Sequence, residues 1–540
     1  MKSLATLTAL TALAVCAPVW AATVTYDLTI ARQPVTITGK PLSKVTVNGT
    51  LPAPVLRFKQ GDDAIIHVTN AMDEDTSVHW HGLLVPGLMD GAPGHNGFAG
   101  IKPAASFTYR FPLRQTGTYW YHSHSLGQEQ EGLYGALIVD PAGKDPIRSD
   151  RDYVVLLSDF SEETSPEIMA NLKKDSDYYA TARRTVGDFI HDVREMGWSK
   201  AWKNAQDWGH MRMAQTDLAD VTGYTFLVNG KSPTQNWTGL FKPGEKVRLR
   251  FINASAMSFF DVRIPGLKMR VVQADGQNVE PVAVDEFRFA PAETYDVIVE
   301  PTGERAYTIA AEPIDRTGFA LATLAPKEGM RGEIPAQRPR ALLKMGDMGM
   351  SDMGDMVMTP EDMKSGWAKA GTPEGAKALS YADLRYAGIQ PDTRQPDRTI
   401  DVTLGGNMER YIWTLNGKSM AEAEPIRLKY GERVRLTFTN DTMMAHPMHL
   451  HGMFVELENG QPMEKLPNKH TVIIQPGKTY SVLLTANEPG EWSFHCHLLY
   501  HMMSGMMTKV VVAKLDAADA PVDAHGSPQP ASNGGHAHAR

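Results

Sequence analysis

Residues 413–440 read WTLNGKSMAEAEPIRLKYGERVRLTFTN, and two similar stretches occur earlier: VTVNGTLPAPVLRFKQGDDAIIHVTN at 45–70 and FLVNGKSPTQNWTGLFKPGEKVRLRFIN at 226–253. Each has an Asn-Gly pair, a later Gly followed by a charged residue, and an alternating apolar run that ends at Asn. Asn-Gly between such runs is a strong β-hairpin signal. Three copies about 180 residues apart predict three similar β-sandwich domains, not a solenoid of short repeats.

The repeats divide the chain into sandwich domains joined by less regular segments. We expect domains at 22–144, 145–330 and 396–515. Charged and aromatic residues at roughly helical spacing predict a helical insertion in the middle domain, over about 161–219. A stretch rich in Pro, Gly and Met at 331–395 predicts a long loop that links the second and third domains.

Composition and the chain ends are typical of an exported globular protein. A hydrophobic content of 42% and a net charge of −8 give no support to binding of nucleic acid or anionic membranes. Residues 1–21 have the basic start, apolar run and small final residue of a signal peptide, and the run is too short to span a membrane. We therefore expect a periplasmic protein whose signal peptide is cleaved after Ala21. Lipidation at Cys16 is the alternative to that cleavage. The tail at 516–540 is expected to be disordered.

Histidines occur in closely spaced pairs. With 18 histidines in 540 residues, chance would give fewer than one His-x-His pair, yet five occur. Alternate side chains on a strand face the same way, so such a pair can converge on one metal ion. The pairs are His79 with His81, His122 with His124, His449 with His451, His495 with His497, and His536 with His538.

Four of these pairs occupy equivalent places in the first and third domains. One begins nine residues after the Asn that ends the repeat, at His79 and at His449. The other begins five residues after a Gly, at His122 and at His495, whereas the middle domain has no such pair. Eight imidazoles from two domains can hold a metal cluster only if those domains face each other. The sequence therefore predicts a cluster at their interface.

Cys496 is the only cysteine that remains once the signal peptide is removed, so it has no disulfide partner in its own chain. Ser123 occupies the equivalent position in the first domain. On a strand, Cys496 would face away from His495 and His497. It is therefore a candidate ligand for a second metal centre on the opposite face.

Three more residues complete a ligand set around this cysteine. His501 follows five residues later, Met506 five beyond that, and His446 precedes the third-domain pair without a counterpart in the first domain. Two imidazoles, one thiolate and a weak axial Met form a blue-copper site. An electron that enters at Cys496 would cross one side chain and a short piece of main chain to reach the cluster.

Four stretches resemble the copper signatures of multicopper oxidases: His79-Trp-His-Gly, His122-Ser-His, His446-Pro-Met-His-Leu-His-Gly and His495-Cys-His-x3-His-x4-Met506. The resemblance covers essentially the whole mature chain. More narrowly, the chain resembles the bacterial, laccase-like copper-resistance oxidases of CopA type. This resemblance implies an all-β fold of three cupredoxin-like Greek-key β-sandwich domains, with the helical insertion and the Met-rich loop added.

The resemblance also implies four copper ions and a reaction. The reaction couples four one-electron oxidations of a reductant to the reduction of O2 to two waters. The implied ligands are His446, Cys496, His501 and axial Met506 for type 1 copper; His79 and His449 for type 2 copper; His81, His122 and His497 for one type 3 copper; and His124, His451 and His495 for the other.

Proton delivery to such a cluster needs carboxylates beside it. Asp90 matches the acidic residue that the family places near the type 2 copper, although an Asp before Gly is equally a common turn residue. Many relatives carry a second carboxylate within the HCH-x3-H turn, where this chain has no acidic residue. Glu129 and Glu131 are the candidates that remain, and neither can be assigned.

The positions of the methionines indicate which substrate the protein oxidises. The stretch from residue 345 to 363 interleaves seven methionines with Gly and Asp, and it has no apolar periodicity with which to pack as a core. Thioethers suit Cu(I). We therefore predict that this stretch captures Cu(I), and that Met444 helps to seat a substrate Cu(I) near the type 1 site. The seven are Met345, Met348, Met350, Met353, Met356, Met358 and Met363.

The function expected is oxidation of Cu(I), and also of small phenolic reductants, by O2 in support of copper resistance. A general laccase-like phenol oxidase is the first alternative. The second is a copper-sequestering protein whose oxidase activity is incidental. The expected partners are O2, the reductant and a periplasmic copper-handling protein. The chain is expected to be a monomer.

Deletion of residues 345–363 should show whether this stretch binds Cu(I) before it is oxidised. We expect kcat/KM for Cu(I) to fall about tenfold, equivalent to about 1.4 kcal/mol, because soft ligands for the substrate are lost. Turnover of a phenol should change little. Oxygen consumption with each reductant measures both, and an equal loss for the two would contradict capture by this loop.

Overall fold

The computed structural model describes residues 21–513, apart from 126, 181–183, 211–213, 217, 340–341, 344–371 and 374. Most of the predicted signal peptide, the whole predicted tail and the seven methionines from Met345 to Met363 lie outside the described residues. The described part is mostly β, with six sheets, and the predicted all-β, cupredoxin-like fold is confirmed. None of the described helices is long and apolar enough to cross a bilayer.

The first sandwich has two four-stranded sheets, with strand orders β2-β1-β4-β6 and β3-β8-β7-β5. A short helix follows the second His-x-His pair. The elements are β1 (Thr23–Thr36), β2 (Pro41–Val47), β3 (Ala53–Lys59), β4 (Asp63–Asn70), β5 (His79–His81), β6 (Ser106–Pro112), β7 (Gly117–His122), α1 (Gln128–Glu131) and β8 (Tyr134–Asp140).

The second sandwich has a six-stranded sheet, β10-β9-β12-β17-β14-β15, and a five-stranded sheet, β11-β19-β18-β13-β16. Three helices lie within the region predicted as an insertion. The elements are β9 (Arg151–Phe160), α2 (Ser165–Lys174), α3 (Val186–Met196), α4 (Trp198–His210), β10 (Thr225–Val228), β11 (Trp237–Leu240), β12 (Val247–Asn253), β13 (Phe260–Arg263), β14 (Met269–Ala274), β15 (Gln277–Val284), β16 (Glu286–Phe289), β17 (Thr294–Val299), β18 (Tyr307–Pro313) and β19 (Ala320–Ala325).

The third sandwich repeats this plan, with sheets β21-β20-β23-β28-β25-β26 and β22-β30-β29-β24-β27. The elements are β20 (Arg398–Asn407), β21 (Ile412–Leu415), β22 (Ile426–Lys429), β23 (Arg433–Asn440), β24 (His446–Leu450), β25 (Val455–Leu457), β26 (Asn468–Lys469), β27 (Thr471–Ile474), β28 (Thr479–Thr485), β29 (Gly490–Cys496), α5 (Leu499–Met503) and β30 (Met507–Ala513).

The Asn-Gly pairs of the repeat form tight turns in all three domains. At Asn416 and Gly417, φ is +53° and +73°, and the other two copies have similar values. Positive φ at both central residues matches the right-handed twist of the flanking strands, and Asn-Gly adopts it at low cost. In each domain the first strand also pairs in parallel with the strand that ends the repeat: β1 with β4, β9 with β12 and β20 with β23.

The Asn that ends each copy has a structural role that explains the repeat. The side-chain amide of Asn440 donates to the carbonyls of Met444 (2.7 Å) and Ile474 (3.0 Å), and its oxygen accepts the N–H of Thr442 (2.9 Å). Asn70 and Asn253 make the same three kinds of bond. In the third domain this Asn fixes the loop that leads into β24.

The first and third sandwiches lie against each other. The side chain of Asn96 donates to the carbonyl of Glu491 (2.7 Å) and accepts its N–H (2.8 Å). Arg114 pairs with Glu488 at 2.7 Å, and His95 contacts Ser493 at 3.2 Å. These contacts join the loops of the first domain to the start of β29, the strand that carries Cys496.

Replacing Asn253 by Ala should destabilise the middle domain by about 3 kcal/mol, because two buried carbonyls and one N–H lose their partner. The midpoint of urea-induced unfolding, followed by fluorescence, measures the loss. The exposed Asn487 provides the matched control as Asn487→Ala. A shift at Asn253 no larger than the shift at Asn487 would contradict this role of the repeat.

Candidate metal centres

Three buried side chains converge at the end of β29. The Sγ of Cys496 lies 3.5 Å from Nδ1 of His446 and 3.9 Å from Nδ1 of His501, and the two nitrogens are 3.2 Å apart. The antiparallel pairing of β24 with β29 brings His446 beside the cysteine, and α5 returns His501 to it. Met506, also fully buried, accepts the N–H of Cys496 through its carbonyl (3.0 Å). Cys496, His446 and His501 could together hold one metal ion.

Burial sets the protonation of this group. It raises the pKa of the Cys496 thiol and lowers the pKa of His446 and His501 well below the usual value. Both imidazoles are therefore neutral and keep a lone pair for a metal. A bound cation would supply the positive charge that a thiolate needs in this apolar interior, and a thiolate with two imidazoles suits copper.

The outward nitrogens of both imidazoles have partners that fix the rings. Nε2 of His446 lies 2.7 Å from the hydroxyl of Thr442, and Nε2 of His501 lies 2.7 Å from a carboxylate oxygen of Asp220. The same oxygen accepts the hydroxyl of Tyr411 (2.6 Å). With Nε2 engaged, Nδ1 of each ring is directed at the sulfur. Sequence reasoning missed Asp220, which follows the helices of the insertion.

The eight paired histidines meet between the first and third sandwiches, as the sequence predicts. His79 stacks on His451 and His81 stacks on His449, each with ring centroids 3.7 Å apart. Each stack joins one ring from each domain. Burial lowers the pKa of most of the eight, so these rings are neutral.

Three of the eight rings direct nitrogens at a common point. Nε2 of His495 lies 3.4 Å from Nε2 of His124 and 3.2 Å from Nε2 of His451. Nδ1 of His495 lies 2.9 Å from the carbonyl of Cys496, and Nδ1 of His451 is bound to a carboxylate. A proton held on Nδ1 leaves the lone pair on Nε2. This trio could hold a second metal ion.

The other five rings each have a buried nitrogen without a hydrogen-bond partner among the described residues. A buried polar atom without a partner is costly, and a metal ion would satisfy these lone pairs. In three of the rings the opposite nitrogen is bonded to a backbone carbonyl at 2.7–2.9 Å, which fixes the tautomer. The atoms are Nε2 of His79, His122, His449 and His497, and Nδ1 of His81.

Asp90 lies directly beside the cluster. Its Oδ2 accepts Nδ1–H of His451 (2.8 Å), and its Oδ1 lies 3.4 Å from Nδ1 of His79. The glycine that follows is required, because a Cβ at Gly91 would lie 1.8 Å from the carbonyl of Val78. Asp90 is therefore both a turn residue and a neighbour of two candidate ligands.

Of the two glutamates left open by the sequence, Glu129 faces the cluster. Its Oε2 lies 2.9 Å from Nδ1 of His122, and its Oε1 lies 4.0 Å from Nδ1 of His497. Burial raises its pKa well above the usual value. Glu131, one half-turn later in α1, instead accepts the N–H of Ser165 (2.6 Å) and pairs with Arg32 (3.1 Å).

Comparison with known proteins agrees with this geometry. Three family models, each described as multicopper oxidase, match residues 29–144, 151–329 and 393–516. The chain belongs to the multicopper oxidase family. Members of this family use four copper ions, and the histidine clusters of the oxidase fit such sites.

Relatives of the oxidase include proteins named for copper resistance. It is 47% identical to the copper resistance protein A homolog of Pseudomonas syringae pv. tomato and 46% identical to copper resistance protein A of Escherichia coli; each match covers 90% of this chain and 92% of the relative. The fold is similar to that of Fet3p, described as a multicopper oxidase that functions in iron import (TM-score 0.69, 19% identity, 91% of this chain and 90% of that chain). It is also similar to a laccase from Botrytis aclada (TM-score 0.66, 22% identity, 91% and 88%).

A cavity of about 820 Å³ lies between the helical insertion and the three-residue centre at Cys496. The ring of Trp413, on its wall, stacks on His501 with centroids 3.8 Å apart and lies 5.1 Å from the ring of His446. Thr442, also on the wall, contacts His446 directly. The cavity therefore reaches within one side chain of the centre, and its lining includes Asp441, Met408, Met443 and Met444.

Replacing Cys496 by Ser should remove one metal site and leave the others. We expect the copper content to fall from four to three ions per chain, with loss of the blue absorption, because a hydroxyl cannot supply the thiolate. Elemental analysis and visible spectroscopy of the copper-loaded protein measure both. Ser123→Ala, at the equivalent position of the first domain, is the control that should keep all four ions. A blue Cys496→Ser variant would contradict this assignment.

Proposed function

We propose that the oxidase converts Cu(I) to Cu(II) outside the cytoplasm, with O2 as electron acceptor, and so supports copper resistance. The observation that carries the proposal is the cavity beside His446, whose lining includes Met408, Met443 and Met444 together with Asp441. Soft thioethers suit Cu(I), whereas carboxylates prefer harder cations, so the pair of ligand types fits an ion that enters as Cu(I) and leaves as Cu(II).

The ligand sets proposed for the four resident copper ions follow the resemblance, and the convergence of the buried imidazoles and of Cys496 supports them. When bound, these ions collect single electrons from the reductant and transfer four of them to O2. The proposed ligands are His446, Cys496, His501 and Met506 for type 1; His79 and His449 for type 2; His81, His122 and His497 for one type 3 ion; and His124, His451 and His495 for the other.

Cys496 connects the two centres covalently, through its side chain and the main chain of its two neighbours. Its side chain faces His446 and His501, while its two neighbours in sequence face the cluster. Strand β29, which carries Cys496, is hydrogen-bonded on both sides, to β24 and to β30. The two centres are therefore held at a fixed separation. This rigidity favours electron transfer within a fixed geometry.

Two carboxylates serve the cluster in this proposal. Reduction of O2 consumes protons, and a buried acid with a raised pKa can hold one. Glu129 is such an acid: burial raises its pKa well above the usual value, and its Oε2 lies 2.9 Å from Nδ1 of His122. Asp90 holds His451 in its tautomer through the 2.8 Å bond to Nδ1. Glu129 is therefore our candidate for the second proton donor.

Oxidation of small phenols is a second candidate function. The cavity is large enough for a phenol, and its walls include the aromatic rings of Phe189, Trp208 and Trp413. Aromatic walls of this kind pack against a planar ring. The copper-sequestering alternative depends on the methionines of the loop, which lie outside the described residues.

The setting proposed for the reaction is the periplasm. The signal-like residues 1–21 support export, and relatives named for copper resistance support a role in handling copper. We propose that the oxidase acts as a monomer and receives its substrate from a periplasmic copper-handling protein or from free Cu(I).

The double variant Met443→Leu/Met444→Leu tests Cu(I) as the substrate. Leu conserves the volume of Met but has no sulfur, so the fold should tolerate the change. We expect the KM for Cu(I) to rise about tenfold, equivalent to about 1.4 kcal/mol, with little change in the KM for a phenol. Steady-state oxygen consumption measures both.

Met453→Leu is the matched control, because Met453 is equally buried in the third domain and does not line the cavity. It should leave both KM values unchanged. If the double variant oxidises Cu(I) as well as the parent protein, the cavity does not seat the substrate, and phenol oxidation becomes the better account.

A further inference from the structure

The middle domain supplies none of the proposed copper ligands, yet one of its turns reaches the junction of the other two. The turn between β14 and β15 contains Asp275, which is fully buried with φ at +47°, and Gly276. A Cβ at Gly276 would lie 2.4 Å from the ring of Tyr119, and a Cβ at Gly117 would lie 2.2 Å from the carbonyl of Gly276. The first domain is thus packed directly on this turn.

Asp275 binds the third domain through its carboxylate. Its Oδ2 accepts the N–H groups of His470 and Thr471, both at 3.1 Å. Its Oδ1 accepts the N–H of Thr294 (3.0 Å) and lies 3.1 Å from Nζ of Lys469. Four donors therefore hold one buried carboxylate, and three of them belong to consecutive residues of the third domain.

His470, which Asp275 holds by its backbone, contacts two of the proposed copper ligands. Its Nδ1 lies 3.2 Å from Nε2 of His81, and its carbonyl accepts Nδ1–H of His449 (2.7 Å). The first contact crosses from the third domain to the first. The ring has little freedom, because a Cβ at Gly82 would lie 2.4 Å from its Cδ2.

These contacts decide which nitrogen each ligand presents to copper. Nε2 of His81 is engaged by Nδ1 of His470, so the nitrogen of His81 left for copper is Nδ1, which is buried without a partner among the described residues. His449 donates Nδ1–H to the carbonyl of His470, so its free lone pair is on Nε2. A histidine ligand is oriented by the bond that its other nitrogen makes.

We propose that His470, anchored by Asp275 of the middle domain, is a positioning residue that sets the copper-binding nitrogens of His81 and His449. The inference rests on the ligand assignment proposed above. The middle domain then has a direct part in assembling the cluster between its neighbours. The type 1 centre, which His470 does not touch, is independent of it.

The test compares the copper content and spectra of purified, copper-loaded variants. His470→Ala and Asp275→Ala should each lose at least one of the four copper ions, and the electron paramagnetic resonance signal of type 2 copper should be lost or altered. The blue absorption of type 1 copper should persist, which also shows that the third domain is folded. His470→Asn should keep all four ions, because its side-chain amide overlies Nδ1 and can make the hydrogen bond to Nε2 of His81.

His95→Ala is the matched control. His95 is also buried and also bridges the first and third domains, through Ser493 at 3.2 Å. It should keep four copper ions. The proposal is overturned if His470→Ala binds four ions with unchanged spectra. It is also overturned if His470→Asn loses as much copper as His470→Ala, since that result would make His470 a ligand itself. Neither measurement uses a reductant, so a failure of Cu(I) oxidation does not affect the outcome.

Discussion

Successive side chains of a β-strand point to opposite faces, and at the end of β29 this constraint locates two metal centres at once. Cys496 faces one side, toward His446 and His501, while His495 and His497 face the other. A second set of imidazoles has to meet the latter pair, so the first sandwich must lie against the third. The Asn-Gly repeat supplies that partner, because it builds the same sandwich with the same two pairs of histidines.

The middle sandwich has no His-x-His pair in its sequence, yet it contacts both sites. Two carboxylates of this domain reach them: Asp220 contacts His501 directly, and Asp275 accepts the backbone N–H groups of His470 and Thr471. Both carboxylates are buried, where a charge or a hydrogen bond has a larger effect than it has in water. The domain therefore serves as a rigid support that orients side chains on either side of β29.

The sequence was sufficient for the parts of the site that depend on local periodicity. His-x-His spacing, the repeat and the lone Cys496 are short-range patterns, and they predict the fold and the meeting of the outer domains. Contacts such as His501 with Asp220, 281 residues apart, and His81 with His470, 389 apart, have no local signal. The choice between Glu129 and Glu131 was also beyond the sequence, because the direction of α1 decides which carboxylate faces the histidines.

Anomalous diffraction at the copper absorption edge, from crystals of the copper-loaded protein, tests the central claim most directly. The account predicts one copper ion bonded to Cys496, His446 and His501, and three more enclosed by the eight imidazoles between the outer sandwiches. Copper peaks confined to other histidines, or a Cys496 without copper within bonding distance, would contradict it.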